Sequence, residues 1–211
     1  MVEHGPGPVA RMWRLTGGDL HDPAVADAFC AEVVPRLKPF PGYLGVLVLV
    51  DRAHRVLVGL NYWESAQAEL GSRHFGASAS HAMRGLSSSE FEGPWTWDVL
   101  GADFRGVLAQ ESQMSEVGGL VLREDRCPVE DVAPAQLTRS VEAMASAAEC
   151  TGTLALRGRE LPELVVMSLW VGGTGAQAAA DLPATAGACS TTVSGPAYDV
   201  VVHQPMAPPA G

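Results

Sequence analysis

With 211 residues the chain can hold one large core or two small ones, and 24 acidic against 14 basic side chains set its formal charge at −10. The acidic excess is shared by both halves and no basic run interrupts it, which argues against a nucleic-acid partner and against an anionic membrane surface. Apolar runs stop at eight or nine residues and the N-terminal segment lacks the basic-then-apolar order of a signal peptide, so a cytoplasmic protein with no membrane span is expected.

Residues 1–8 are rich in glycine and proline and are expected to fray. VARMWRLT, residues 9–16, reads as a strand with Val9, Arg11, Trp13 and Leu15 on one side. Asp22-Pro23 starts a helix, with a side-chain oxygen to cap and a proline where its missing N–H costs nothing. Phe29, Val33 and Leu37, flanked by Val25, Cys30 and Val34, form its buried stripe, and Pro35 kinks or ends it near the last turn.

Residues 41–65, PGYLGVLVLVDRAHRVLVGLNYWES, give two apolar strands joined by a polar turn. Leu44, Val46, Val48 and Val50 point one way and Gly45, Leu47 and Leu49 the other; then Val56, Val58, Leu60 and Tyr62 oppose Leu57, Gly59, Asn61 and Trp63. A hairpin apolar on both faces expects helices over one and a second cover, plausibly another sheet, over the other. A weaker helix over 66–81 and a strand over 93–100, with Trp95 and Trp97 on one face, complete the βαββαβ order of the ferredoxin-like plan.

The hairpin returns 107 residues later without a gap, pairing Gly45 with Gly152, Leu47 with Leu154, Leu49 with Leu156, Arg52 with Arg159, Val58 with Val165 and Trp63 with Trp170. Around it the second half repeats the order, with a strand at 119–123, helices at 134–148 and 174–181, and a last strand at 198–203. Residues 104–116 find no place in the plan, and 205–211 form a loose tail. The expected fold class is α+β: two fused ferredoxin-like domains, 1–103 and a degenerate 104–211, whose antiparallel sheets face each other in an intrachain α/β barrel.

Gly59, Asn61 and Trp63 project to one face, and the glycine is expected to leave space beside the amide. The second copy has Val166, Ser168 and Trp170, so one cavity is expected, in the first half, which Gly59→Val would block at modest cost to folding. The competing reading makes Trp63 a core residue and Asn61 a satisfied amide. His74 and His81 both fall on the second helix, but seven residues span about 10 Å there, too far to share a metal ion, and no metal is expected. Each could serve alone as a base, and Arg84 could hold an anionic oxygen, although solvated side chains are the commoner reading. Gly173, Gly175 and Ala178 meet a GxGxxA pattern but lack the acidic residue that a dinucleotide site needs about 20 positions on. Cys30, Cys127, Cys150 and Cys189 contain no CxxC pair and are expected to be free thiols.

The helix end VVPRLKPFPGYLGVLVL, the hairpin and above all NYWES, Asn61 to Ser65, resemble the antibiotic biosynthesis monooxygenase family, well over about residues 9–100 and in outline over 118–203. Its ferredoxin-like domains pair into a dimeric α/β barrel, here with both halves in one chain, while a homodimer of the whole stays open. Its members oxidise aromatic polyketide phenols to quinones with molecular oxygen and neither metal nor flavin. The resemblance therefore implies a cofactor-independent oxygenase of secondary metabolism, with an aromatic small molecule and oxygen as its partners. It points to Asn61, Trp63 and Arg84 as catalytic positions, to which the reading of the histidines adds His81 as a base. Gly59, Tyr62, His74, Trp95 and Trp97 would bind substrate, the tryptophans walling its rings. The alternatives are a polyketide cyclase or isomerase, a haem-degrading enzyme using His81, and a non-catalytic domain binding a small molecule or a partner.

Overall fold

The computed structural model describes residues 7–73, 89–103, 120–187, 189–193 and 198–204. In chain order these form β1 (Val9–Thr16), α1 (Pro23–Leu37), β2 (Tyr43–Asp51), β3 (Val56–Trp63), α2 (Ala66–Gly71), β4 (Glu90–Asp103), β5 (Leu120–Pro128), α3 (Pro134–Ala145), β6 (Cys150–Gly158), β7 (Glu163–Val171), α4 (Gly172–Asp181), β8 (Ser190–Val193) and β9 (Tyr198–Gln204). The chain divides into two compact units, residues 1–97 with 199–211 and residues 98–198, so the division falls inside β4 and nearly all of β9 belongs to the first unit. Among the described residues no helix is long and apolar enough to cross a membrane.

In the first unit the strands lie in the order β4-β1-β3-β2-β9. The Asp22 carboxylate accepts a hydrogen bond from the Ala24 N–H at 2.9 Å and Pro23 opens α1, as the cap signal requires. Val33, Val34 and Leu37 of α1 pack on Leu15, Val46, Val48, Val50, Leu57 and Trp63, and Pro35 sits in the helix's last turn. β2 and β3 pair antiparallel from Asp51↔Val56 to Tyr43↔Trp63. Asp51 holds the turn between them, accepting the His54 N–H at 2.9 Å, with its other oxygen 2.7 Å from His54 Nδ1. Leu47, Leu49, Leu60 and Tyr62, on the opposite face, are buried as well, so both faces of the hairpin are covered. Each such aliphatic side chain contributes about 1.5–3 kcal/mol.

The second unit runs β8-β5-β7-β6-β4. Its hairpin repeats the first in detail: Gly45 faces Tyr62 and Gly152 faces Leu169, each just after a register shift. Val121, Ala155, Leu164, Val166 and Trp170 form its core, covered by Leu137, Val141 and Met144 of α3 and Ala176 and Ala179 of α4. β8, which the sequence did not announce, pairs with β5 from Arg126↔Ser190 to Arg123↔Val193.

Two expectations are corrected. The antiparallel strands fit two fused ferredoxin-like units, but the sheet is not closed or strongly curled, so the intrachain barrel of facing sheets does not form. Doubly apolar strands demand burial of both faces; closure depends on strand tilt and stagger, which a period-two pattern does not carry. The thiols are not all free, because Cys127 and Cys189 are joined by a disulfide, with Cys150 a free, half-buried thiol. The unplaced segment at 104–116 and the second helix beyond Arg73 lie outside the described residues.

Candidate functional site

The face of the first unit's sheet under α1 and α2 is set by strand register. β1 and β3 place Val9 opposite Trp63, Arg11 opposite Asn61 and Trp13 opposite Gly59, while β2 brings Val46 beside Asn61 and Val48 beside Gly59. Directly opposed residues share a face, with Cβ atoms about 4.5–5.5 Å apart. Asn61 and Trp63 thus share a face as the alternation requires, and Tyr62 points to the other. Phe40 and Tyr43 meet the Trp63 ring edge-on, at centroid distances of 6.4 and 5.4 Å.

The space left by Gly59 is taken by a neighbour. A Cβ built there would fall into the indole of Trp13, so the glycine makes room for a tryptophan packed across it. Gly59→Ala is therefore expected to lower stability by about 1–3 kcal/mol through overpacking, and Gly59→Val by more, rather than the modest cost that an open cavity would imply. Thermal unfolding of the two variants checks this; an unchanged midpoint for Gly59→Val would mean that the indole moves aside freely.

Polar groups gather where the face meets α2. Ser65 caps this short helix, its Oγ accepting from the Ala68 N–H at 3.2 Å, and Glu69 is turned inward and buried. The Glu69 carboxylate accepts from Arg73 Nε at 3.2 Å and lies 3.7 Å from the buried Arg11 guanidinium. Burial pulls the Arg11 pKa down, Glu69 opposes that and Arg73 adds to it, for a net downward shift. Neither Arg11 nor Glu69 was a candidate from the sequence, though an arginine amid the apolar residues of VARMWRLT, beside Trp13, was a usable signal.

The second unit makes the same positions into a closed network. Arg123 faces Ser168 as Arg11 faces Asn61, and Asp125 faces Val166 as Trp13 faces Gly59. Trp170 Nε1 donates to Ser168 Oγ at 2.8 Å. The Trp63 indole N–H, also buried, has no hydrogen-bond partner among the described residues, and neither has the half-buried Asn61 amide.

The other candidates scatter. Tyr62 is buried on the far face, with its phenol pKa pushed up by burial. Trp97 is buried and Trp95 partly so, but among the described residues neither belongs to the cluster packed around Trp63. His74, His81 and Arg84 lie outside the described residues. Among the described residues no group of three histidine, cysteine or acidic side chains could hold a metal ion. Two clefts in the second unit, of about 420 and 500 Å³, are bordered by Gln136, Arg139 and Thr185 and by Arg126, Pro128 and Glu163, and neither is lined by Val166 or Ser168.

No protein-family model matches the sequence, and no curated protein does. Solved structures do resemble it. Two proteins, each named a "putative monooxygenase", come from Fusobacterium nucleatum and Lactobacillus acidophilus. The first superposes with a TM-score of 0.62 at 10% identity, covering 96% of both chains. The second gives 0.60 at 11% identity, over 95% of this chain and 97% of its own. A protein named anthrone oxidase-like gives 0.51 at 14% identity, over 94% and 93% of the two chains. Over nearly its whole length the chain therefore shares the fold of these proteins.

Proposed function

We propose that the first unit binds an aromatic small molecule beside Asn61 and Trp63 and catalyses its oxidation by molecular oxygen without a cofactor, in the manner of an anthrone converted to a quinone. The observation that carries this reading is the contrast between the paired Ser168 and Trp170 of the second unit and, in the first, a Trp63 N–H and an Asn61 amide that have no partner among the described residues. Donors left over at the half-buried Asn61, beside an apolar face, suit a planar ligand with one polar edge. The names of the structures that share the fold favour an oxygenase.

The substrate itself supplies the electrons. Loss of a proton from the ring carbon gives an anion that reduces oxygen; one oxygen atom forms the new carbonyl and the other leaves as water. The protein's part is to favour the anion, with Asn61 donating to the developing oxyanion and Trp63 bordering the rings. His81 as base and Arg84 as a second anion holder enter on the sequence alone, Arg84 also on the resemblance.

An oxygen electrode with anthrone as substrate tests this. One oxygen molecule should be consumed per quinone formed, and Asn61→Ala should slow the reaction about 10²-fold while leaving the fold intact. A rearranged product without oxygen uptake would instead establish a cyclase or isomerase.

A further inference from the structure

Arg11 and Arg123 occupy matching places in the two sheets yet are treated very differently. A guanidinium has five N–H donors, and Arg123, fully buried, uses all of them. Nε and Nη2 reach the Asp125 carboxylate at 3.1 and 3.0 Å, Nη1 reaches the carbonyls of Ala179 and Leu182 at 2.5 and 2.9 Å, and Nη2 reaches that of Pro183 at 2.8 Å. Among the described residues the Arg11 side chain makes no hydrogen bond; its partner is Glu69 at 3.7 Å, beyond hydrogen-bond range. A charge taken this far out of water without donors engaged is costly unless something else meets it.

The local charge does not close either. Two guanidinium groups, Arg11 and Arg73, share the single carboxylate of Glu69, which sits nearer Arg73. Opposite Arg11 on the next strand stands the Asn61 amide, also without a partner among the described residues. Among the described residues, one positive charge in excess, a set of unused donors and an adjacent amide describe a place for a compact anion with two oxygens or one.

We propose that Arg11 and Asn61 form a subsite for an anionic oxygen on an aromatic ligand, a carboxylate or an ionised phenol, with Arg73 adding charge and Glu69 as the resident counter-ion that the ligand displaces. The location rests on the reading of the first unit given above; the oxidation does not enter. In the second unit Asp125 fills the corresponding role permanently, which is why only the first can take an outside anion.

Calorimetry on the whole chain with 2-naphthoate, its uncharged methyl ester and 2-naphthol decides the matter. Naphthoate should bind about tenfold tighter than the ester, and added salt should narrow the margin. Naphthol should join it only above its own pKa, which separates a carboxylate subsite from one that also takes phenolates. Glu69→Gln removes the competitor and should widen the margin about another tenfold, whereas a purely structural ion pair would give only a lower melting temperature. Arg11→Gln should abolish the preference. Should that variant fail to fold, Arg73→Gln, on a side chain 50% exposed, should narrow the margin with the fold intact. Equal binding of naphthoate and ester in both the wild type and Glu69→Gln, or no binding of either, overturns the proposal. Anion preference without oxygen uptake would remove the oxygenase and keep the subsite; uptake without the preference would do the reverse.

Discussion

Replacing Arg123 with alanine is expected to cost about 3–5 kcal/mol of folding stability, because it strands a carboxylate that has nowhere to go. Asp125 is fully buried, and besides Arg123 it accepts from Thr185 N and Oγ1, both at 2.9 Å, and from Thr191 Oγ1 at 2.8 Å. The carbonyls of Ala179, Leu182 and Pro183, at and just beyond the end of α4, would lose their donors at the same time. Urea unfolding monitored by circular dichroism measures the loss. Arg126→Ala, on a side chain 37% exposed, serves as a control expected to lose 1 kcal/mol or less by the usual worth of a surface pair, about 0–1 kcal/mol. The double change Arg123→Met with Asp125→Leu removes both charges and should recover most of the loss. An Arg123→Ala chain as stable as the wild type would show that water reaches Asp125.

The same pair sets an acid limit. Burial pushes the Asp125 carboxyl up, but hydrogen bonds from Arg123, Thr191 and Thr185, with the Arg123 charge, outweigh it and hold the group below its usual range. A folded-state pKa depressed below the unfolded value of about 3.9 means that the contribution is complete above that pH and disappears as pH falls through the folded value. Unfolding midpoints should be level near neutrality and drop below about pH 4, and the drop should be smaller in the double variant.

Opening the disulfide is the second large effect. Cys127, at the end of β5, and Cys189, just before β8, are 62 residues apart, and a loop of that length constrains the unfolded chain by about 4 kcal/mol in the entropic account. Cys127→Ala, or reduction of the wild type, should lower the melting temperature, and reductant should have no further effect on the variant. Equal midpoints with and without reductant would mean that the native contacts alone hold β8. The bond also bears on location, since such bonds persist in oxidising surroundings and are reduced in a mesophilic cytosol. Counting thiols in protein trapped directly from cells decides: two of the four cysteines should react if the bond is kept, four if it is not. The count needs unfolded protein, because burial pushes the Cys150 thiol up to about 11 and slows its alkylation.

The hairpins were legible because a strand's period is short and local: Gly45, Leu47 and Trp63 reappear with their register shift at Gly152, Leu154 and Trp170. The Asp22-Pro23 cap and the shared face of Asn61 and Trp63 were legible for the same reason. What needed three dimensions was lost. The ungapped 107-residue shift carries Arg11 onto Gly118, whereas strand pairing matches it with Arg123, so the two buried arginines looked unrelated. Gly59 read as an opening because the residue that fills it comes from another strand, 46 positions earlier in the chain. Nothing in the sequence of the weak helix marks Glu69 as buried; its inward turn shows only once α2 packs beside Arg11.

One feature of the architecture bears on how the protein is made. The first unit's sheet includes β9, which the ribosome delivers after every residue of the second unit. Until then the free edge of β2 exposes a row of unpaired backbone groups beside VLVLV, the kind of template on which nascent chains stick to one another. Completing that sheet also means closing a loop of well over a hundred residues, which slows folding and lengthens the exposure. The first half of the chain is thus the part most in need of a chaperone during synthesis, although it is synthesised first.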